Sequence, residues 1–232
     1  MARLTTFAVA VDVALLTVRD GVLQLLLVEP DARGYQGALA LPGGRVLDDE
    51  NLDQAASRFL RDVAGVRDPE HVEQLRTYGE PERDPRARAV SVAYLALTPA
   101  PAHPPGDGER GARYVAMADV TSGVVVLAFD HDRIVPDAVE RARGKLEYRP
   151  LATAFVEEPF TLAELRGVYE AVWGVALDPA NFRRKVIGSP GFVVPTGDKA
   201  APGSGGGRPA TLYRRGPAAR LHPAMLQPSR EG

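Results

Sequence analysis

Residues Gly44–Val66 read GRVLDDENLDQAASRFLRDVAGV. They are entered through Leu41-Pro42-Gly43-Gly44, a turn whose missing side chains let the backbone approach a neighbour closely. From Asn51 the apolar residues fall at Leu52, Ala55, Ala56, Phe59, Leu60 and Val63, a stripe at helical spacing, and Gly65 supplies the stop. The stretch therefore predicts a loop running into an amphipathic helix. Glu50 and Arg58 carry opposite charges on either side of that junction and can pair to brace the loop against the helix.

Working outward, Val9–Val18 and Val22–Val28 are apolar runs split by Arg19-Asp20-Gly21, a strong hairpin signal. Leu75–Tyr78, Ala89–Leu97 and Tyr114–Met117 read as further strands. The charged segment Glu80–Arg88 lies between the first two, and the proline- and glycine-rich Pro99–Gly111 forms a surface loop. Strands with interspersed helices give an α/β body ending near Asp130. Pro136–Tyr148 reads as a polar connecting helix.

The 23-residue stretch resembles the Nudix box, G-x5-E-x7-R-E-U-x-E-E-x-G-U with U aliphatic: Gly44, Glu50, Arg58, Leu60, Gly65 and Val66 all match. The resemblance implies a mixed Nudix sheet with helices. In Nudix hydrolases three helical glutamates, placed on one face by i, i+3, i+4 spacing, hold magnesium against a pyrophosphate. Here those positions are Phe59, Asp62 and Val63. Two ligands have become apolar and one is a methylene shorter, so only Asp62 remains as a residual donor, and no metal, required cofactor or catalytic residue is expected. Each ~1.4 kcal/mol of lost transition-state stabilisation is a factor of ten in rate, so losing metal activation removes the chemistry. Phe59 and Val63 instead extend the apolar stripe.

A cleft can outlive its chemistry. The Gly43-Gly44 turn with Arg45, and Arg83-Asp84-Pro85-Arg86 followed by Val90–Tyr94, resemble the corresponding stretches of ADP-ribose-type Nudix proteins. The resemblance implies Arg45, Glu50, Arg58, Arg83 and Arg86 as the residues that hold a nucleotide diphosphate. Glu50 and Arg58 equally suit a purely bracing pair.

A second module begins near Leu151. Thr161 caps a helix that packs Leu162, Leu165, Val168, Tyr169 and Val172 inward, and Asp178-Pro179 is a fresh cap with a first-turn proline opening a helix through Ile187. Within it Phe182, Val186 and Ile187 anchor one side, while Asn181, Arg184 and Lys185 project outward with Arg183 nearby. Arginine and asparagine suit guanine and adenine edges in the major groove. Phe192–Pro195 and Ala210–Tyr213 read as short strands around a glycine-rich tip, Thr196–Pro209. Arg208 in the tip, with Arg214 and Arg215 beyond it, is placed for phosphate contact.

This C-terminal pattern, Asn181–Lys185 with Gly207–Arg214, resembles the signature of the Nudix-related transcriptional regulators of NAD metabolism, the NrtR family. The likeness spans roughly residues 7–215. It implies a Nudix-like effector domain over residues 1–135, a connector over 136–150, a winged helix-turn-helix over 151–215 and a disordered tail over 216–232. It also implies a homodimeric repressor of NAD biosynthesis or salvage genes that binds double-stranded operator DNA and is released by ADP-ribose or a related nucleotide.

The whole-chain figures agree. The formal net charge is −2, yet Pro179–Gly216 holds seven cations against Asp198 alone, a window of +6 that leaves −8 elsewhere. The chain has no cysteine, which excludes disulfides and thiolate metal sites and fits a reducing cytoplasm. His71, His103, His131 and His222 stand singly and read as surface or packing residues. No run approaches the about 18 apolar residues of a membrane helix, and Phe7–Val18 contains Asp12 and lacks a cleavage site, so a cytoplasmic protein is expected. Two other readings remain: a residual pyrophosphohydrolase for ADP-ribose-like substrates using Asp62 and Glu50, and a C-terminal module that binds protein instead of DNA.

Overall fold

The computed structural model describes residues 6–30, 34–67, 69–100, 111–201 and 209–228. They form two compact units, one of Met1–Thr17 with Gln24–Val139, the other of Val18–Leu23 with Glu140–Gly232.

β1 (Ala8–Arg19) turns into β2 (Val22–Leu27) through Asp20 and Gly21, whose φ values of 51° and 73° are the paired positive torsions of a type I′ hairpin. β1 runs 12 residues and β2 only 6, and β3 (Gly43–Arg45) pairs antiparallel with β1 from Ala10↔Arg45 to Asp12↔Gly43. β4 (His71–Tyr78), β5 (Ala89–Leu97) and β6 (Arg113–Ala116) complete the sheet in the order β4-β5-β1-β2-β6, with β5 parallel to β1. Val11, Val13, Ala14, Leu15 and Leu16 of β1 are all fully buried, as a central strand covered on both faces requires.

Helix α1 (Leu52–Ala64) follows the reading closely. Asn51 and Gln54 form a reciprocal capping box, and Gly65 closes the helix in the left-handed region at φ 67°. Its buried stripe of Ala55, Ala56, Phe59, Leu60 and Val63 packs with Val11, Val13, Leu15 and Tyr94 of the sheet. Gly43 is required where β3 crosses β1: a Cβ there would lie 2.3 Å from Asp12 Oδ1 and 2.5 Å from the Val11 carbonyl oxygen.

Several expectations are corrected. A short helix, α2 (Met117–Thr121), follows β6. α3 spans His131–Tyr148, starting before Pro136, and it is not a polar helix: Ile134, Val135, Ala138, Val139, Ala142 and Leu146 make a buried stripe. Most of the Pro99–Gly111 loop lies outside the described residues.

The second unit holds a buried 3-10 turn (Pro150–Phe155), β7 (Phe160–Thr161), α4 (Leu162–Trp173), α5 (Pro179–Ile187), β8 (Val193–Lys199) and β9 (Thr211–Arg215), with sheet order β7-β9-β8. The two strands of the wing are longer than read, since Lys199 still pairs with Thr211. Thr161 and Glu164 cap α4 reciprocally, and Asp178 caps α5 by accepting the Asn181 N–H at 2.7 Å. Tyr169 stacks edge-on against Trp173 and Phe182, joining α4 to α5.

Ile187 is not an anchor of α5; it is 52% exposed. Nor is the chain after Gly216 structureless through residue 228. It has no helix or strand, but Leu221 and Met225 are buried, and their N–H groups donate to the carbonyls of Tyr148 and Glu147 at 2.9 and 2.8 Å. The last turn of α3 leaves such carbonyls without a helical partner, and the tail supplies one. Among the described residues no helix is long and apolar enough to cross a membrane.

Candidate functional site

Two surfaces carry the chemistry. On α5, Phe182 and Val186 are buried, four residues apart. Arg184 lies two residues from each, about 200° round the helix from both, and so points straight away from the core. Its Nη2 donates to Asn181 Oδ1 at 2.8 Å. Arg183 falls on one flank of this outward line and Asn181 with Lys185 on the other. The Arg183 flank opens on a groove of about 470 Å³ shared with Thr161 and Leu162 at the start of α4, and with Lys199, Thr211 and Tyr213 of the wing. The opposite flank borders a small recess with Trp173, Leu177 and Met225, and Lys185, expected to project outward, is half-buried there. Arg214 and Arg215 are exposed on β9, and Arg208 lies outside the described residues. Lys199 contributed to the charge count of the sequence, but nothing in its context marked it as facing α5.

The second surface is a cleft of about 320 Å³ in the first unit, walled by Gly43, Gly44, Arg45, Arg86 and Phe129 and floored by Asp12, Arg83 and His131. The floor is a buried ionic network. Arg83 donates from Nε and Nη2 to both oxygens of Asp130 (3.1 and 2.8 Å) and from Nη2 to Asp12 Oδ2 (3.1 Å). Ser91 Oγ donates to Asp12 Oδ2 at 2.6 Å. His131 Nδ1 accepts the Leu41 backbone N–H at 2.9 Å, which sets its proton on Nε2, 3.5 Å from Asp12 Oδ1. Burial on its own would raise the Asp12 carboxyl, but His131, Ser91 and Arg83 outweigh it and hold the group down at about 2. Asp12, Ser91, Asp130 and His131 escaped the sequence reading because they come from three separate segments, two of them apolar strands.

The five residues expected to hold an effector are divided by the structure. Arg45 and Arg86 are exposed at the cleft; Arg86 chelates Asp84 and sits over the Phe129 ring at 5.1 Å. Arg83 reaches the cleft with its guanidinium already committed to two carboxylates. Glu50 and Arg58 line a different groove, where Arg58 grips both Glu50 oxygens (2.8 and 2.5 Å) and the Leu47 N–H donates to Glu50 at 2.9 Å. That arginine holds the Glu50 carboxyl at about 2, and the pair is the brace between loop and helix.

A magnesium ion does not fit the box. The side chains at two of the three helical ligand positions, Phe59 and Val63, are buried in the core, and Asp62 is half-exposed and bonded to Arg61 Nε at 2.8 Å. Among the described residues no group of three or more His, Asp or Glu side chains is placed to hold a metal.

A Nudix sheet followed by two capped helices and a β-wing, with cations turned outward from the second helix, defines a winged-helix regulator built on a Nudix body. The NUDIX domain model matches residues 6–138, and the NrtR DNA-binding winged helix domain model matches residues 152–215. The chain is 34% identical over 207 residues to the ADPR responsive transcriptional repressor NtrR of Acinetobacter baylyi, covering 88% of this chain and 80% of that one. The structure of Shewanella oneidensis NrtR complexed with a 27mer DNA superposes with a TM-score of 0.79 at 32% identity, covering 94% of this chain and 99% of that one. The Nudix domain of the same protein complexed with ADP ribose aligns at 33% identity and a TM-score of 0.52, over 60% of this chain and 90% of that one. The chain belongs to the NrtR family of Nudix-related transcriptional regulators.

Proposed function

We propose that this chain represses transcription by seating α5 in the major groove of an operator, and that ADP-ribose in the cleft of the first unit relieves the repression. The carrying observation is the geometry of α5. Its buried residues leave Arg184 facing directly outward, Arg183 and Asn181 flank it, and Arg214 and Arg215 are exposed on the wing strand. That the relatives are a repressor named for its response to ADPR and a protein crystallised both on DNA and with ADP ribose supports both halves of the reading.

The chain is not a hydrolase in this reading: its helix spends two ligand positions on core packing. The exposed cations at the cleft are Arg45 and Arg86, with Phe129 beside them, while Arg83 holds the floor. The operator controls genes of NAD synthesis or salvage, two copies of the chain bind its two half-sites, and the protein acts in the cytoplasm.

The test is fluorescence anisotropy of the full chain on duplexes taken from upstream of such genes, with ADP-ribose titrated in. Binding that weakens steeply with salt and is released by ADP-ribose is the expected result. A chain that ignores every such duplex and turns over ADP-ribose with magnesium overturns the proposal.

A further inference from the structure

Resting on that reading, the geometry points to a division of labour on the winged helix: Arg184, steered by Asn181, reads a guanine, while Arg183 and Lys199 hold the phosphodiester backbone. Arginine offers only N–H donors, so the Asn181 carboxamide must turn its oxygen toward Arg184, as the 2.8 Å bond shows. An asparagine that reads adenine needs that oxygen for the N6 amino group while its nitrogen donates to N7. With the oxygen engaged, the exposed pair presents donors: the remaining guanidinium N–H groups and the Asn181 amide nitrogen. Guanine's major-groove edge, with acceptors at both O6 and N7, is the complement.

The bond also restrains Arg184. An arginine pointing away from the core has nothing else on α5 to fix its torsions, and the i, i+3 contact sets the fork before any DNA arrives.

Arg183 is placed differently. It lies on the flank turned to the wing, in the groove it shares with Lys199 and the first turn of α4. Among the described residues neither cation forms an ion pair, and both are exposed. A groove bordered by two unpaired cations suits a continuous anionic strand. Lys185, half-buried on the other flank, takes part in neither task.

The experiment begins by enriching duplexes from a randomised library with the full-length wild type, then measuring the enriched duplex and a scrambled one across a salt series. Wild type is expected to enrich a G·C pair that Arg184→Ala no longer selects, with affinity for the enriched duplex falling about ten- to a hundredfold and that for the scrambled duplex little changed. Asn181→Ala is expected to keep the guanine preference with weaker binding. Arg183→Ala and Lys199→Ala are expected to weaken both duplexes alike and to flatten the log–log salt slope by about one each. All four side chains sit on the surface, and matching thermal melts confirm folding.

An adenine preference lost in Asn181→Ala, or guanine still selected by Arg184→Ala, overturns the reader assignment. A change of preferred sequence in Arg183→Ala with an unaltered salt slope overturns the backbone assignment. A wild type that enriches nothing removes the regulator reading itself, and this inference with it.

Discussion

Arg83 and Asp130 meet as a fork on a carboxylate, Nε on one oxygen at 3.1 Å and Nη2 on the other at 2.8 Å, and both side chains are more than nine-tenths buried. The same Nη2 serves Asp12, so one cation balances two buried anions contributed by β1 and by the segment entering α3. Removing one member of such a set leaves charge buried without a partner. Arg83→Met is therefore expected to destabilise the chain by about 3–5 kcal/mol in denaturant unfolding. A loss under about 1 kcal/mol would mean that the floor is not held together by charge.

The acid limb of stability follows from two carboxylates. Asp12 is lowered from 3.8 to about 2 and Glu50 from 4.5 to about 2. Because each folded value lies below the unfolded one, each contribution is complete above about pH 5 and fades as pH falls toward 2. Unfolding midpoints measured from pH 6 to 2 should drop through that window, and the drop should shrink in Asp12→Asn and in Glu50→Gln. The Glu50 part should also weaken with added salt, since its pair reaches solvent. Identical acid limbs in wild type and both variants would contradict the assignment.

Restoring the missing ligands should fail. Phe59 is 6% exposed and Val63 8%, and the Phe59 ring stands 3.1 Å from where a Cβ on Gly44 would sit. A carboxylate at either position loses packing and is buried without a partner. Phe59→Glu and Val63→Glu, alone or together, should lower stability by more than about 2 kcal/mol by thermal melt and gain no magnesium-dependent turnover of ADP-ribose. A stable double variant that hydrolyses it would show the helix to be one step from an enzyme.

What the sequence disclosed follows the range of the interactions. The α1 stripe with its Asn51 and Gly65 caps, the Asp20-Gly21 hairpin and the Asp178-Pro179 start of α5 are all written within a few residues, where spacing and cap chemistry suffice. The cleft floor joins residues 47 to 119 positions apart, and no local pattern announces that Asp12 faces Ser91, Arg83 and His131. The division of the five effector candidates was hidden for the same reason: Glu50 and Arg58 are near neighbours of Arg45 in sequence yet border a different groove. On α5 the pattern separated buried Phe182 and Val186 from exposed Asn181, Arg183 and Arg184, but which flank met the wing and which met the tail depended on elements read as a glycine-rich tip and a disordered end.

That tail supports a last prediction. Leu221 and Met225 are 6% and 2% exposed, and their N–H groups occupy the final carbonyls of α3. Met225 also borders the recess beside Phe182 and Lys185 on α5. Burying a side chain of this size is worth about 1.5–3 kcal/mol, and each carbonyl left unmet adds to the loss. A chain ending at Gly216 should therefore lose about 3 kcal/mol or more of stability in the second unit. Hydrogen exchange can localise the effect, with protection falling in α5 and at the end of α3 while α1 keeps its own. Leu221→Ala with Met225→Ala should reproduce most of the loss without shortening the chain, separating side-chain packing from the two backbone bonds. If the shortened chain melts with the full-length protein and protects α5 equally, the tail is a passenger and the recognition helix is held by Phe182 and Val186 alone.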